Sequence, residues 1–163
     1  NCTVVYRPPP FPHPALRVVA SNWQFSGIAT ARSGSWITVT TGVTGFNGLA
    51  DRVDRVSDNV YGDKTLLNYL NRAAFANPAP GTFGNLPRNS IQGPKAWKAD
   101  LAVSRLLSIA AGQQVEIRFE SFNLFNTLNW GLPTLTLSSG NFGRIQSMSG
   151  DPRILQFGIK YGF

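Results

Sequence analysis

The sequence predicts an all-β fold, an antiparallel sheet of about five long strands, and three observations carry that prediction. Apolar and polar residues alternate with period two in several segments; charged residues are 14% of the 163-residue chain; and 16 Gly and 11 Pro punctuate it. A soluble average would be about a quarter charged. The residues that replace the missing charge favour strands and turns over helices.

The clearest strand is the last segment, LQFGIKYGF. Leu155, Phe157, Ile159, Tyr161 and Phe163 occupy alternate positions, with Gln156, Gly158, Lys160 and Gly162 between them. Successive side chains of a strand point to opposite faces, so one face is wholly apolar and ends in two aromatics. Trp97–Ile109 repeats the pattern: Trp97, Ala99, Leu101, Val103, Leu107 and Ile109 share a phase in which Arg105 is the exception. The short stretch AAGQQ (Ala110–Gln114) predicts a tight hairpin. Beyond it Val115, Ile117 and Phe119 face one way while Glu116, Arg118 and Glu120 face the other. The phase slips at Ser121, which predicts a bulge there or the end of the apolar band. Upstream, Trp23, Phe25, Gly27 and Ala29 alternate with Gln24, Ser26 and Thr30, and SWITVTTG continues past Ser33-Gly34, as one long kinked strand in preference to a hairpin. TVVY (Thr3–Tyr6) resembles a strand end, stopped by Pro8-Pro9-Pro10. The expected strands are 3–7, 16–41, 97–110, 114–126 and 153–163, in one domain spanning 1–163.

The connections alternate between short and long: a proline-rich turn after Tyr6, the segment 42–96, the hairpin at 110–114, then a loop after Asn126. Short turns on one side and long loops on the other describe a transmembrane-type β-barrel wall. The long surface loop 42–96 contains KTLLNYLNRAA (Lys64–Ala74), a short helix with Asp63 as N-cap. After it, NPAPGTFGNLPRNSIQGP is too rich in Gly and Pro for regular structure. Packing over the barrel mouth is favoured for this loop over ligand binding.

Several functions are excluded. The net charge of +7 is dispersed, with no basic run, so no nucleic acid is expected as a partner. Cys2 is the lone cysteine, which excludes an internal disulfide and a cysteine metal site; it is either buried or the basis of a link between chains. His13, the lone histidine, sits in PPPFPHP as a rigid turn residue. No signal peptide is seen and the chain starts at Asn1, as expected of a processed product or an excerpt of something longer. No apolar run reaches the 18 or so residues of a membrane helix, so any bilayer crossing must be by strands. Without a phosphate loop, metal-spaced cluster or nucleophile elbow, no enzyme activity, cofactor, catalytic residue or metal ligand is expected. Glu116 and Glu120 around Arg118 form an ion-pair ladder in preference to an acid/base couple.

The segments NWQFSGIATARSGSWITVTTG (Asn22–Gly42), AAFANPAPGTFGNLPRNSIQGP (Ala73–Pro94), EIRFESFNLFNTLNW (Glu116–Trp130) and SGNFGRIQSMSGDPRILQFGIKYGF (Ser139–Phe163) together resemble the C-terminal part of TonB-dependent outer-membrane receptors, especially the Oar-like group. FNLFN (Phe122–Asn126), NFGRI (Asn141–Ile145) and DPR (Asp151–Arg153) with a terminal Phe are the most specific elements. The resemblance implies a bacterial outer-membrane location and a structural barrel wall in a transporter. It also implies that Gln156, Gly158, Tyr161 and Phe163 are the barrel-closing strand read by the assembly machinery. The plug and TonB-contacting segment of such receptors are not seen.

Five strands do not close a barrel, since about eight are needed for even a small one. Open edges recruit partners, so the expected partners are the remaining strands of a parent barrel, or further copies of the chain in an extracellular tube or fibre. The lipid bilayer is expected against the apolar outward face: Leu155, Phe157, Ile159, Trp97, Leu101, Val103, Val115, Ile117 and Phe119.

Overall fold

The computed structural model describes residues 1–44, 50–110 and 112–163. By internal contacts they divide into two compact units: residues 1–31, 97–127 and 151–163, and residues 32–96 and 128–150.

The first unit is a five-stranded sheet of β1 (Cys2–Tyr6), β2 (Trp23–Arg32), β9 (Ala96–Ala110), β10 (Gln113–Phe122) and β11 (Ile154–Gly162), in that spatial order. The β1–β2, β9–β10 and β10–β11 pairs are antiparallel. β2 and β9 are antiparallel as well, with the Leu106 N–H on the Asn22 carbonyl and Gly27 beside the Asp100 carbonyl. The antiparallel all-β expectation holds. β2 and β10 have 10 residues and β11 has 9, the length of a tilted strand that crosses a bilayer in about 9–11 residues. The β9–β10 hairpin turns at Gly112, whose φ of +81 suits a residue without Cβ; Ala111 of the expected AAGQQ turn lies outside the described residues.

The expected strand over 16–41 is broken into separate elements. Residues Pro14–Ala20 form helix α1, because Pro14 opens the first turn with its φ already helical. Asn22, at φ 64, then reverses the chain into β2. Past Arg32 the chain leaves the sheet for β3 (Trp36–Ile37) and β4 (Thr40–Thr44). The phase slip at Ser121 is not a bulge. β10 keeps its register through Ser121, and the irregularity lies at Gln113/Gln114 instead. β10 ends at Phe122, short of the expected 126, because Asn123 adopts φ 51.

The second unit is built from the two long connections, β2 to β9 and β10 to β11. Besides β3 and β4 it contains β5 (Ala50–Arg52), β6 (Asp54–Arg55), β7 (Phe75–Ala76) and β8 (Ile91–Gln92), paired β3–β8, β4–β5 and β6–β7. Its core is Ile37, Val39, Val53, Tyr69, Leu70, Ala74, Phe75, Leu86, Ile91, Leu137, Phe142 and Ile145. The segment 42–96, expected as a surface loop, therefore carries much of a packed core; residues 45–49 within it lie outside the described residues. The helix expected over Lys64–Ala74 does not form. Lys64 takes φ 54, Asp63 accepts a hydrogen bond from the Asn68 side chain, and only Arg72–Ala74 make a single 3-10 turn, capped by Asn71. Burial of Tyr69, Leu70, Ala74 and Phe75 in a core of short strands outweighs helix propensity. Ile91–Gln92 pairs as a strand although its surroundings are rich in Gly and Pro.

Candidate functional site

The candidate site is the sheet itself, with its two faces and two edges. Register places Tyr161 opposite Val115, Ile159 opposite Ile117, Phe157 opposite Phe119 and Leu155 opposite Ser121. Across β10, Leu107, Arg105, Val103 and Leu101 stand opposite Val115, Ile117, Phe119 and Ser121. Trp97 keeps the same phase along β9. Leu155, Phe157, Ile159, Trp97, Leu101, Val103, Val115, Ile117 and Phe119 thus share one face, and Tyr161 joins them. Phe119 and Phe157 pack with ring centroids 5.0 Å apart. The face is uncovered by this chain at its β11 end: Phe157 is 80% exposed and Ile159 79%. Phe163 is exposed, its ring 5.9 Å from Tyr161.

The opposite face is polar. Arg118 pairs with Glu120 at 2.7 Å and Lys98 with Asp100 at 3.1 Å. Glu116 lies opposite Lys160, and Gln156 and Gly158 lie opposite Glu120 and Arg118. The Glu–Arg–Glu run of β10 is thus laid along one face, with Arg118 paired to one of the two glutamates.

Two polar residues break the apolar face, each differently. Ser121 is buried, and its hydroxyl makes no hydrogen bond among the described residues. Arg105 is fully engaged: its guanidinium donates to the carbonyls of Val18 and Ser21, at the end of α1, and lies 5.3 Å over the Trp23 ring. The Trp23 indole N–H donates to the Val19 carbonyl at 3.0 Å. A lone arginine in an apolar stripe was the visible signal. Its partner helix was hidden inside a segment expected as strand.

The FNLFN segment is a knot at the other end of β10. Asn123 is 5% exposed. Its side-chain amide donates to the carbonyls of Thr127 and Asp151, at 3.1 and 3.0 Å, and its Oδ1 accepts from the Thr127 backbone N–H at 2.9 Å. Its own backbone N–H donates to Asp100 at 2.8 Å. Asn126 Oδ1 accepts from the backbone N–H of Arg153 in DPR at 3.1 Å. The two asparagines, both left-handed at φ 51, therefore join the ends of β10, β9 and β11. Asn does this because it tolerates a left-handed backbone and offers both donors and an acceptor.

Cys2 is exposed with a free thiol, not buried, and sits on edge strand β1. His13 precedes α1 and contributes its carbonyl to the Arg17 N–H, with no side-chain cap bond.

A sheet with one face apolar except at Arg105 and Ser121, a charged opposite face, strands of bilayer length and long insertions at alternate turns defines a transmembrane β-sheet of the barrel type. Residues 1–156 match the family model described as outer membrane beta barrel domain, and the chain belongs to that family. Its place is the bacterial outer membrane and its surroundings include a lipid bilayer. Comparison with curated proteins and with solved structures gave no match.

Proposed function

We propose that the chain is the C-terminal barrel portion of a TonB-dependent outer-membrane transporter of the Oar-like group, serving as structural wall and not as a catalyst. The observation that carries this is the sheet of the first unit, apolar on the Leu155–Phe163 face and ion-paired on the other. In the proposal the apolar face meets lipid and the Arg118–Glu120 face lines the lumen. Support for the finer assignment comes from the FNLFN, NFGRI and DPR segments and their resemblance to that group. The joints made by Asn123 and Asn126 give two of them a structural reason.

Self-assembly through strand edges is a second reading, favoured by the edges of β1 and β11, which carry no further strand among the described residues. Strand direction limits it. With five antiparallel strands, β1 and β11 run the same way, so copies joined head to tail would pair β11 with a parallel β1. Antiparallel edge pairing would require each next copy to be inverted, which a membrane forbids because its long loops would fall on the wrong side. Copies can join in this way only outside the bilayer.

The test is to recover the native protein from outer-membrane fractions and identify what carries these peptides. A far larger polypeptide that cross-links to TonB and supports energy-dependent uptake is expected. Electron micrographs showing extracellular filaments built of this chain, with none in the membrane fraction, would overturn the proposal in favour of self-assembly.

A further inference from the structure

We propose that α1 and the proline-rich arm before it form a lipid-binding foot, seated in the headgroup layer of the periplasmic leaflet with a phospholipid at the groove lined by Pro8, Phe11, Val19, Ala20, Trp23 and Phe25. The proposal rests on the apolar face meeting lipid and is independent of the transport assignment.

Three observations carry it. First, α1 lies on the apolar side of the sheet, because the two residues that hold its backbone, Arg105 and Trp23, both project from that face. The bonds from Arg105 to Val18 and Ser21, and from Trp23 to Val19, satisfy carbonyls left without partners at the end of the helix. Such satisfaction is what a helix end needs beside hydrocarbon, where water is not available to it. Second, α1 belongs to the β1–β2 connection, at the same end of the sheet as the tight β9–β10 hairpin. Short turns mark the periplasmic side. Third, the helix presents apolar surface that this chain leaves uncovered. Val18 is 73% exposed and Val19 66%, and the adjoining groove of about 450 Å³ is lined by aromatic, aliphatic and proline side chains.

The charge around this surface selects the occupant. From Arg7 to Asn22 the chain has Arg7, Arg17 and His13 but no Asp or Glu. The Arg17 guanidinium, through Nε, donates to the carbonyl of Phe11 at 3.2 Å, which places it at the rim of the groove. Its remaining N–H groups are suited to a phosphate. An apolar groove with a cation at its rim and an indole beside it matches a glycerophospholipid at the membrane interface, where amphipathic aromatic and basic side chains collect.

The test uses the whole outer-membrane protein that carries this chain, with Cys2→Ser and a single cysteine, Val18→Cys or Phe157→Cys, carrying an environment-sensitive fluorophore. That protein is reconstituted in phosphatidylcholine vesicles containing phosphatidylglycerol. The probe at 18 is expected to be quenched by lipid bearing a quencher near the glycerol backbone and shielded from iodide, and the probe at 157 to be quenched by a deeper lipid quencher. Iodide access at 18 with lipid quenching at 157 would overturn the foot and leave the wall intact. Iodide access at both would overturn the wall as well. Native mass spectrometry of Arg17→Gln should show several-fold less retained phosphatidylglycerol, and equal retention would remove the phosphate contact from the proposal.

Discussion

The two compact units bury opposite chemistry. Among the described residues, the buried hydrophobic side chains that form the core, from Ile37 to Ile145, all belong to residues 32–96 and 128–150. In the sheet unit the buried side chains among the described residues are Ser21, Ser121 and Asn123, while Phe157, Ile159 and Tyr161 stand exposed. The first arrangement is that of a protein folded against water. The second is its inverse, as expected where the hydrophobic solvent is outside and backbone groups must be satisfied within the sheet. One chain thus uses two solvents. The sheet is held by ladder hydrogen bonds and polar joints, the insertions by apolar packing.

The largest effect should come from the insertion core. Leu70, 2% exposed, loses packing on several sides when truncated. Leu70→Ala should cost about 2–5 kcal/mol, read as faster amide exchange across 32–96 and 128–150 with β9–β11 unchanged. Equal loosening of the sheet would break the contrast between the units.

Next is the opposite experiment on the sheet. Phe157→Arg should cost about 2–4 kcal/mol if the side chain lies near the bilayer midplane, measured by denaturant unfolding from vesicles. Its neighbour Gln156→Arg, on the polar face, should be close to neutral. Equal costs at 156 and 157 would contradict an apolar face turned to lipid.

A smaller loss, about 1–3 kcal/mol, is expected for Asn123→Ala, which removes the hydrogen bonds to Thr127 and Asp151 and leaves buried groups unpaired. Asn123→Gly separates backbone from side chain, since glycine keeps the left-handed turn without the amide. If glycine restores full stability, the knot is conformational and its hydrogen bonds are incidental.

The smallest effect is a pH dependence confined to the insertions. Burial, aided by neighbouring Tyr61, raises the Tyr69 phenol above its ordinary 10.0. A group raised in the folded state contributes stability that is present below its unfolded pKa and lost as pH rises through the folded one. Tyrosinate absorbance should therefore show one late-titrating tyrosine above pH 10.0, with loosening of the 32–96 segment that Tyr69→Phe abolishes. Loosening of the sheet in the same range would point to another group.

Much of the sheet was legible because a strand writes its two faces into alternate residues. The phase of Val115–Phe119 against Glu116–Glu120, and of Leu155–Tyr161 against Gln156–Lys160, is the phase observed. The insertions were not legible in this way. KTLLNYLNRAA has helical spacing and a suitable cap, yet Tyr69 and Leu70 serve a core whose other members lie as far along the chain as Leu137, Phe142 and Ile145. No local pattern records such partners. Residues 16–20 depart from the expected strand for a related reason: LRVVA is as apolar as a strand, and Pro14 and Arg105 decide in favour of a helix.

The sequence by itself determined the antiparallel strands, the apolar and charged faces and the alternation of short and long connections, since all of these follow from period two and from turn residues. Only the tertiary structure decided that the long connections share a core, that Arg105 holds a helix on the apolar face, and that Asn123 and Asn126 join three strand ends. Those features depend on contacts between residues distant in sequence, where geometry and burial set the outcome and local propensity does not.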